Sequence, residues 1–402
     1  MNKLTIRDID VGGKRALVRV DFNVPLDEKT GTITDDSRIQ ATLPTIKYLI
    51  DRKAKVILCS HLGRPKGKVV EKLRLAVVAQ RLSQILRQPV EVVTDSIGSD
   101  VEKAVAKLEP GDVLLLENIR FHPEEEANDA SFAQALARLA DIYVNDAFGA
   151  SHRAHASVVG VANHLPAVAG LLVEKEIKIL GSILANPRHP FAELAGGAKD
   201  LSDKIGVLGN TMDKVDCLLI GGGIAATFLK AKSYGVGMSL VENDKIELAA
   251  KLMKEAAQRG VRLMLPVDVV IATEVSAESK AKVVPVGEIP PEWRIVDIGP
   301  QTISNFSEEL RRYKTIFWNG PMGIYEISQF AQGTQAIARL LANLKATTII
   351  GGGSTAEAVT EMKLADKMTF VSTGGGASLR FLSGEKLPGI EALLNKGVNY
   401  NG

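Results

Sequence analysis

The sequence predicts an α/β protein of two domains, each a mostly parallel sheet with helices on both faces, joined by a helical hinge. Three observations lead there. The chain has 402 residues, more than one ordinary hydrophobic core serves, so two cores are expected. Short apolar, β-branched runs alternate with longer stretches of helical periodicity, the pattern of βαβ units. That alternation pauses near residue 170 and restarts after residue 190.

In the first half the runs RALVRV (15–20), KVILCS (55–60), VEVVT (90–94), DVLLL (112–116) and DIYVN (141–145) read as strands. They are continuously apolar rather than alternating, as strands buried on both faces must be. Helical patterns lie between them at 38–52, 71–86, 99–108 and 129–140. The segment 170–186 is also helical and runs into NPRHP, a proline stop. It is read as the connector. Beyond it the runs CLLIG (217–221), VRLML (261–265), TIFWN (315–319), TTIIG (347–351) and MTFVS (368–372) repeat the strand pattern. Both halves are therefore expected to be Rossmann-like.

Bulk composition narrows the function classes. A chain that is 46% hydrophobic, 24% charged and 5% aromatic has an ordinary globular composition. A net charge of +2 gives no argument for nucleic acid or a membrane surface. No apolar run is long enough to span a bilayer, and MNKLTIRDID has no signal-peptide core, so the cytoplasm is the default compartment. Cys59 and Cys217, each in an apolar run, are expected to be buried thiols rather than a disulfide or zinc ligands.

The two halves carry different chemistry, which suggests one ligand each. All six histidines lie between His61 and His189, whereas glycine clusters gather after residue 195. The clusters are GGAK (196–199), GGG (221–223), NGPMG (319–323), GGGST (351–355) and STGGGAS (372–378), most of them directly after a strand. Glycine there lets the backbone approach a ligand, and the following helix aims its free N–H groups at an anion. Any one of these loops could be an ordinary tight turn. The set, with Lys199 and Lys204 beside one of them, points to a nucleotide-phosphate site. No Walker A string occurs. Gly221-x-Gly223-x-x-Ala226 with Glu242 beyond it fits a dinucleotide fingerprint, and an NAD-dependent oxidoreductase stands as a competing reading.

In the first half, polar and basic residues follow the strands. They are Asp21 and Asn23, then Arg38 at a helix start, His61 and Arg64, Arg120, and finally His152, Arg153 and His155. Ligand crevices of open α/β sheets lie at the carboxyl ends of strands. Arginines converging there suit a small, strongly anionic substrate, since the guanidinium fork matches phosphate and carboxylate. Singly, each would be a solvated or ion-paired loop residue. His152-x-x-His155 lacks further metal ligands. Ser60 and Ser151 lie outside any G-x-S-x-G elbow. Glu124–Glu126 is expected to be a solvated loop or helix start.

Taken in order, RVDFNVP (19–25), DDSRI (35–39), SHLGRPKG (60–67), LLENIRF (115–121), VNDAFGASHRAHAS (144–157), GGAK, WNGPMG (318–323), IIGGG (349–353) and STGGGAS resemble the phosphoglycerate kinases. The likeness runs from about residue 5 to 391. It implies reversible phosphoryl transfer between 1,3-bisphosphoglycerate and ADP, giving 3-phosphoglycerate and ATP, with Mg²⁺. It further implies a cytoplasmic monomer that closes about a hinge. Domains are then expected at 1–170 for 3-phosphoglycerate and 187–385 for nucleotide, with 171–186 connecting them and a tail from about 386 to 402 returning to the first. By the same likeness Asp21, Asn23, Arg38, His61, Arg64, Arg120 and Arg153 hold 3-phosphoglycerate. Gly197, Lys199, Lys204, Gly222, Asn319, Pro321, Glu326, Gly352, Gly353, Ser354 and Thr355 hold the nucleotide, Glu326 at its ribose. Arg38, Lys204, Gly352 and Gly375 attend the phosphoryl group in transfer.

The resemblance breaks in two places. Ser354 stands where the family pattern GGGD has aspartate, so a weaker hold on the metal-nucleotide is expected. GGAKDLSDK has one residue more between Lys199 and Lys204 than the family pattern, and FAELA (191–195) before it is more polar than usual. The insertion either bulges in the loop or displaces one lysine. A catalytically impaired relative that binds nucleotide or sugar acid is therefore the other reading.

Overall fold

A computed structural model describes residues 2–197 and 201–397 of the chain. The chain divides into two compact units, one comprising Met1–Lys178 with the stretch from Lys386 onward, the other Ile179–Glu385. The boundary falls inside the helix Leu171–Ala185.

The first unit is built on six strands: β1 (Arg15–Arg19), β2 (Lys55–Cys59), β3 (Glu91–Val92), β4 (Val113–Leu115), β5 (Ile142–Asn145) and β6 (Ala167–Ala169). Their order is β3-β4-β2-β1-β5-β6, and every pairing is parallel. Helices must then cover both faces, which explains why Val18, Val56, Leu58, Leu115 and Val144 are wholly buried. The helix Ser37–Asp51 covers part of one face with Ile39, Leu43, Ile46 and Leu49, a spacing that keeps them on one stripe. Two boundaries differ from the sequence reading. The run 90–94 pairs only at Glu91–Val92, where both residues are exposed. The pattern 71–86 splits into a single turn, Glu71–Leu73, and the helix Ala76–Leu86.

Among the described residues the second unit has nine strands: β7 (Phe191–Ala195), β8 (Cys217–Ile220), β9 (Arg262–Met264), β10 (Asp268–Ala272), β11 (Ala281–Pro285), β12 (Arg294–Ile298), β13 (Thr315–Asn319), β14 (Thr347–Gly351) and β15 (Phe370–Val371). Six form a parallel sheet in the order β15-β14-β13-β7-β8-β9, and β11-β10-β12 form a small antiparallel sheet. The antiparallel sheet was not foreseen. Both cysteines are buried free thiols. Burial pushes Cys59 up to about 12 and Cys217 up to about 11, so neither is a nucleophile.

Each parallel sheet winds outward in two directions from a central strand. In the first unit β1 lies between β2 and β5; in the second, β7 lies between β8 and β13. Loops leaving such neighbours diverge to opposite faces and open a crevice at the carboxyl edge.

Candidate active site

In the first unit the crevice is lined by the residues that follow β1, β2, β4 and β5. Arg19, the last residue of β1, is fully buried. A buried cation needs partners, and it has them. Its Nε donates to Ser157 Oγ at 2.9 Å, its Nη1 to the Val20 carbonyl, and its Nη2 to His61 Nδ1 across 3.2 Å. Guanidinium has no acceptor, so Nδ1 must accept and the imidazole proton sits on Nε2. Burial pushes His61 well below its ordinary value, and the cations Arg19, Arg120 and Arg38 add to this against Asp21. His61 is thus a neutral donor.

Asp21 is paired with Arg38. Burial works against its charge, yet the guanidinium of Arg38 and, beyond it, that of Arg19 hold it below the usual carboxylate range. Asn23 Oδ1 accepts from Gly63 N at 2.8 Å, which ties the β1 loop to the β2 loop. Arg120 is buried, donates from Nη1 to the Gly63 carbonyl at 3.1 Å, and has its Nε 3.4 Å from Glu126 Oε1. Burial and then the neighbouring Arg19 and Arg153 pull it down to about 10. Arg153 donates to His152 Nε2 at 3.3 Å. Arg64 is exposed on the loop after β2.

One expectation is corrected here. Glu125 is not solvated but wholly buried at the start of its helix. It accepts from Ser157 N at 2.8 Å and Ser157 Oγ at 2.7 Å, and so stands behind Arg19 as its counter-charge. His155 Nδ1 lies 3.6 Å from the same carboxylate. Arg19, Glu125 and Ser157 are functional neighbours that sequence reasoning missed. An arginine set between Val18 and Val20, at the end of a buried strand, was the available signal.

In the second unit the carboxyl edge holds a cavity of about 920 Å³. Gly197, Lys204, Gly222, Asn319, Pro321, Glu326, Gly352, Gly353, Ser354, Thr355 and Gly375 all line it. Lys199 lies outside the described residues. Three loops are laced together by backbone bonds: Gly197 N to the Pro321 carbonyl at 2.7 Å, Gly196 N to Asn319 O at 2.9 Å, and Gly222 N to Met322 O at 3.1 Å. Gly222 has φ +58°. A Cβ there would lie 2.5 Å from both Gly197 N and the Pro321 carbonyl, so only glycine permits this closeness. Lys204 is buried on the first turn of the helix Leu201–Thr211 and donates to the Gly196 carbonyl. The helices Gly353–Glu361 and Gly376–Leu382 both begin at the cavity, after Gly352 and Gly375. The oxygen Thr355 Oγ1 is taken by Gly320 N at 2.6 Å.

Among the described residues no three His, Cys, Asp or Glu side chains cluster as a metal cage. At the glycine loop the exposed Ser354 supplies one neutral oxygen. That donor set fits a hard cation only if phosphate oxygens and water supply most of its ligands.

Taken together, one unit gathers arginines at the carboxyl edge of its sheet, and the other lines a cavity with glycine backbones and Lys204. Comparison with known proteins is consistent along the whole chain. The family profile described as phosphoglycerate kinase matches residues 6–385. The chain is 57% identical over 396 residues to a phosphoglycerate kinase of Pelotomaculum thermopropionicum, covering 98% of this chain and 100% of that one. It is 58% identical over 395 residues to one of Roseiflexus castenholzii, covering 98% and 99%. The solved phosphoglycerate kinase of Coxiella burnetii superposes with a TM-score of 0.84 at 42% identity, over 97% of this chain and 98% of that one. That of Pyrococcus horikoshii superposes at 0.85 and 31% identity, again over 97% and 98%.

Proposed function

This chain belongs to the phosphoglycerate kinase family, and from that premise we propose how its own residues carry the reaction. It is a phosphotransferase with a carboxyl group as acceptor and acts in glycolysis. A β-phosphate oxygen of ADP attacks the acyl phosphorus of 1,3-bisphosphoglycerate. The bond from phosphorus to the carboxyl oxygen breaks, and 3-phosphoglycerate leaves as a carboxylate while ATP forms. The reverse step uses the same groups.

Such a transfer asks little covalent chemistry of the protein. It asks for in-line positioning and for positive charge around the spreading negative charge. In this reading the first unit holds 3-phosphoglycerate on Arg120, Arg153 and Arg64, with Asn23 and the His61 Nε2–H as neutral donors. Arg38, oriented by Asp21, faces the phosphoryl group. In the second unit Lys204 and the N–H groups at Gly352–Thr355 and Gly374–Gly376 receive the nucleotide phosphates, and Glu326 the ribose. Lys204, held to the Gly196 carbonyl, lines the cavity although the chain carries one residue more than the family pattern before it. Bound Mg²⁺ would neutralise phosphate charge, with Ser354 among the protein oxygens that line the cavity. Direct transfer needs the two ligands within bonding distance, so hinge-bending belongs to the reading, with 171–186 as one candidate element. The protein is read as a cytoplasmic monomer.

The observation that carries this most is the co-location of eleven sequence-derived nucleotide and phosphoryl residues on one cavity wall. The test is a steady-state assay with MgATP and 3-phosphoglycerate. Turnover that collapses in Arg38→Ala supports it. An absence of turnover with both substrates saturating would replace it by the non-catalytic binding reading. Tight NAD binding without ADP binding would revive the fingerprint at 221–226.

A further inference from the structure

Three of the residues read as holding 3-phosphoglycerate arrive on separate strand loops: His61 after β2, Arg120 after β4 and Arg153 after β5. Loops of this kind drift relative to one another unless a shared contact registers them, and a misplacement of about 1 Å costs a site much of its function. The short helix Pro123–Glu126 makes such contacts to all three.

On the β2 side, Gly67 N donates to the Arg120 carbonyl at 3.2 Å, and a Cβ on Gly67 would lie 2.7 Å from the Pro123 side chain. On the β4 side, the helix follows the turn Ile119–Phe121 that carries Arg120, and Glu126 Oε1 lies 3.4 Å from Arg120 Nε. On the β5 side, Glu125 takes both donors of Ser157, N at 2.8 Å and Oγ at 2.7 Å. Ser157 lies just beyond Arg153 in the chain, and its carbonyl is held by the Tyr143 hydroxyl at 2.8 Å.

The same carboxylate reaches His61. A hydroxyl has one proton, and that of Ser157 goes to Glu125, so Arg19 Nε donates into a Ser157 lone pair at 2.9 Å. Arg19 Nη2 then donates to His61 Nδ1. Burial opposes the charge of Glu125, yet His155, Arg19 and Ser157 hold it below its ordinary value. A carboxylate only accepts, which fixes the direction of each bond in this chain. Glu125 is wholly buried, so it acts through its partners and not on a ligand. Buried ion pairs add little net stability, and setting register is their best-attested use.

We propose that Glu125 is a positioning residue of the anion site, a single buried carboxylate that registers His61, Arg120 and Arg153 against one another. This rests on the reading that the first unit holds 3-phosphoglycerate.

The test measures kcat, KM for 3-phosphoglycerate and for MgATP, and the calorimetric Kd of 3-phosphoglycerate in the wild type, Glu125→Gln, Ser157→Ala and the double variant. Glutamine keeps the shape but turns one acceptor into a donor that faces a donor. KM and Kd for 3-phosphoglycerate are expected to rise about tenfold in each single variant, while KM for MgATP stays within about twofold. Both changes cut the same chain, so the double variant is expected to bind no worse than the weaker single one. Unchanged 3-phosphoglycerate affinity in a folded variant overturns the proposal. An equal rise in both KM values does so too, because it marks a general loosening, as do losses that multiply in the double variant. Should Glu125→Gln fail to fold, Ser157→Ala decides by the same measures, since it keeps the carboxylate and its bond from the residue 157 N–H. A wild type that binds no 3-phosphoglycerate would sink the reading of the first unit's site. A wild type that binds it, with variants that match it, would sink only the role of Glu125.

Discussion

Arg19 and His61 show how one buried hydrogen bond fixes the character of a binding group. With Nδ1 accepting from Arg19, His61 offers the same N–H at pH 5 as at pH 8. Arg19→Met removes the donor and one of the cations that hold His61 down, so Asp21 draws it upward against the burial and the cations Arg120 and Arg38 that remain. KM for 3-phosphoglycerate should then acquire a dependence on pH between about 5 and 8 that the wild type lacks. The variant also strands Glu125, at a cost of about 3–5 kcal/mol. Imidazole ¹⁵N shifts of the intact wild type therefore give the cleaner check. A proton found on Nδ1 would contradict the assignment. Ser354 is the complementary case. A carboxylate in Ser354→Asp would give a hard cation a charged ligand worth about 1.5–3 kcal/mol. MgADP should bind at least tenfold tighter, and the gain should vanish with EDTA. Equal affinity with and without magnesium would remove the metal argument.

Among the elements, β7 is the most instructive. Its polar residue Glu193 is wholly buried at the middle of the sheet, with Thr211 Oγ1 donating to it. Burial pushes it up to about 7, against the single hydrogen bond. Because the folded value is raised, the unfolded chain releases this proton from about pH 4.5 and the folded chain only near 7. Its contribution is intact below that window and is lost as pH rises through it. Glu193→Gln keeps an acceptor for Thr211 and removes the titration. It should raise stability at pH 8 by roughly 1–3 kcal/mol and flatten the slope between pH 4.5 and 7. Both tryptophans, Trp293 and Trp318, lie in the same unit as Glu193. Denaturant titrations followed by their fluorescence at pH 5 and 8 report that unit, and identical curves for variant and wild type would refute the account.

The same elements mark what could be read beforehand. Continuous apolar runs announced most of the parallel strands, because a strand buried on both faces leaves no other pattern; β6 (Ala167–Ala169) was not among them and β3 is exposed. The antiparallel β10–β12 sheet gave no such signal. β11 is largely exposed, and Arg294 opens β12 with a charge. Glu125 was misread because its burial depends on Arg19 and Ser157, which approach it only in the fold. The cavity's apolar wall was missed for the same reason, since Met238, Val275 and Val296 meet through tertiary structure alone.

At the scale of the whole molecule, the chain leaves the first unit and comes back to complete it. Leu394 N donates to the Ala167 carbonyl at 2.9 Å, and Leu4 N to the Leu394 carbonyl at 2.8 Å. Fully buried Asn145 donates to the Gly389 carbonyl at 2.9 Å. Leu387, Ile390 and Leu393 are buried with them. Three such side chains are worth about 1.5–3 kcal/mol each, and a stranded Asn145 adds ~1–3 kcal/mol. The sum rivals the ~5–15 kcal/mol that holds a domain together. A chain ending at residue 385 should therefore lose hydrogen-exchange protection across β1–β5 while keeping it across β7 and β13. Protection lost equally in both units would count against this division.

That returning segment also sets a timetable. A ribosome delivers the chain from its amino end, so the first unit emerges early but waits for the segment from Lys386 onward. The stretch Ile179–Glu385 is wholly outside the exit tunnel sooner than the piece that closes its predecessor. The half made second is the one that can finish first, and the half made first stays incomplete until that closing segment has emerged.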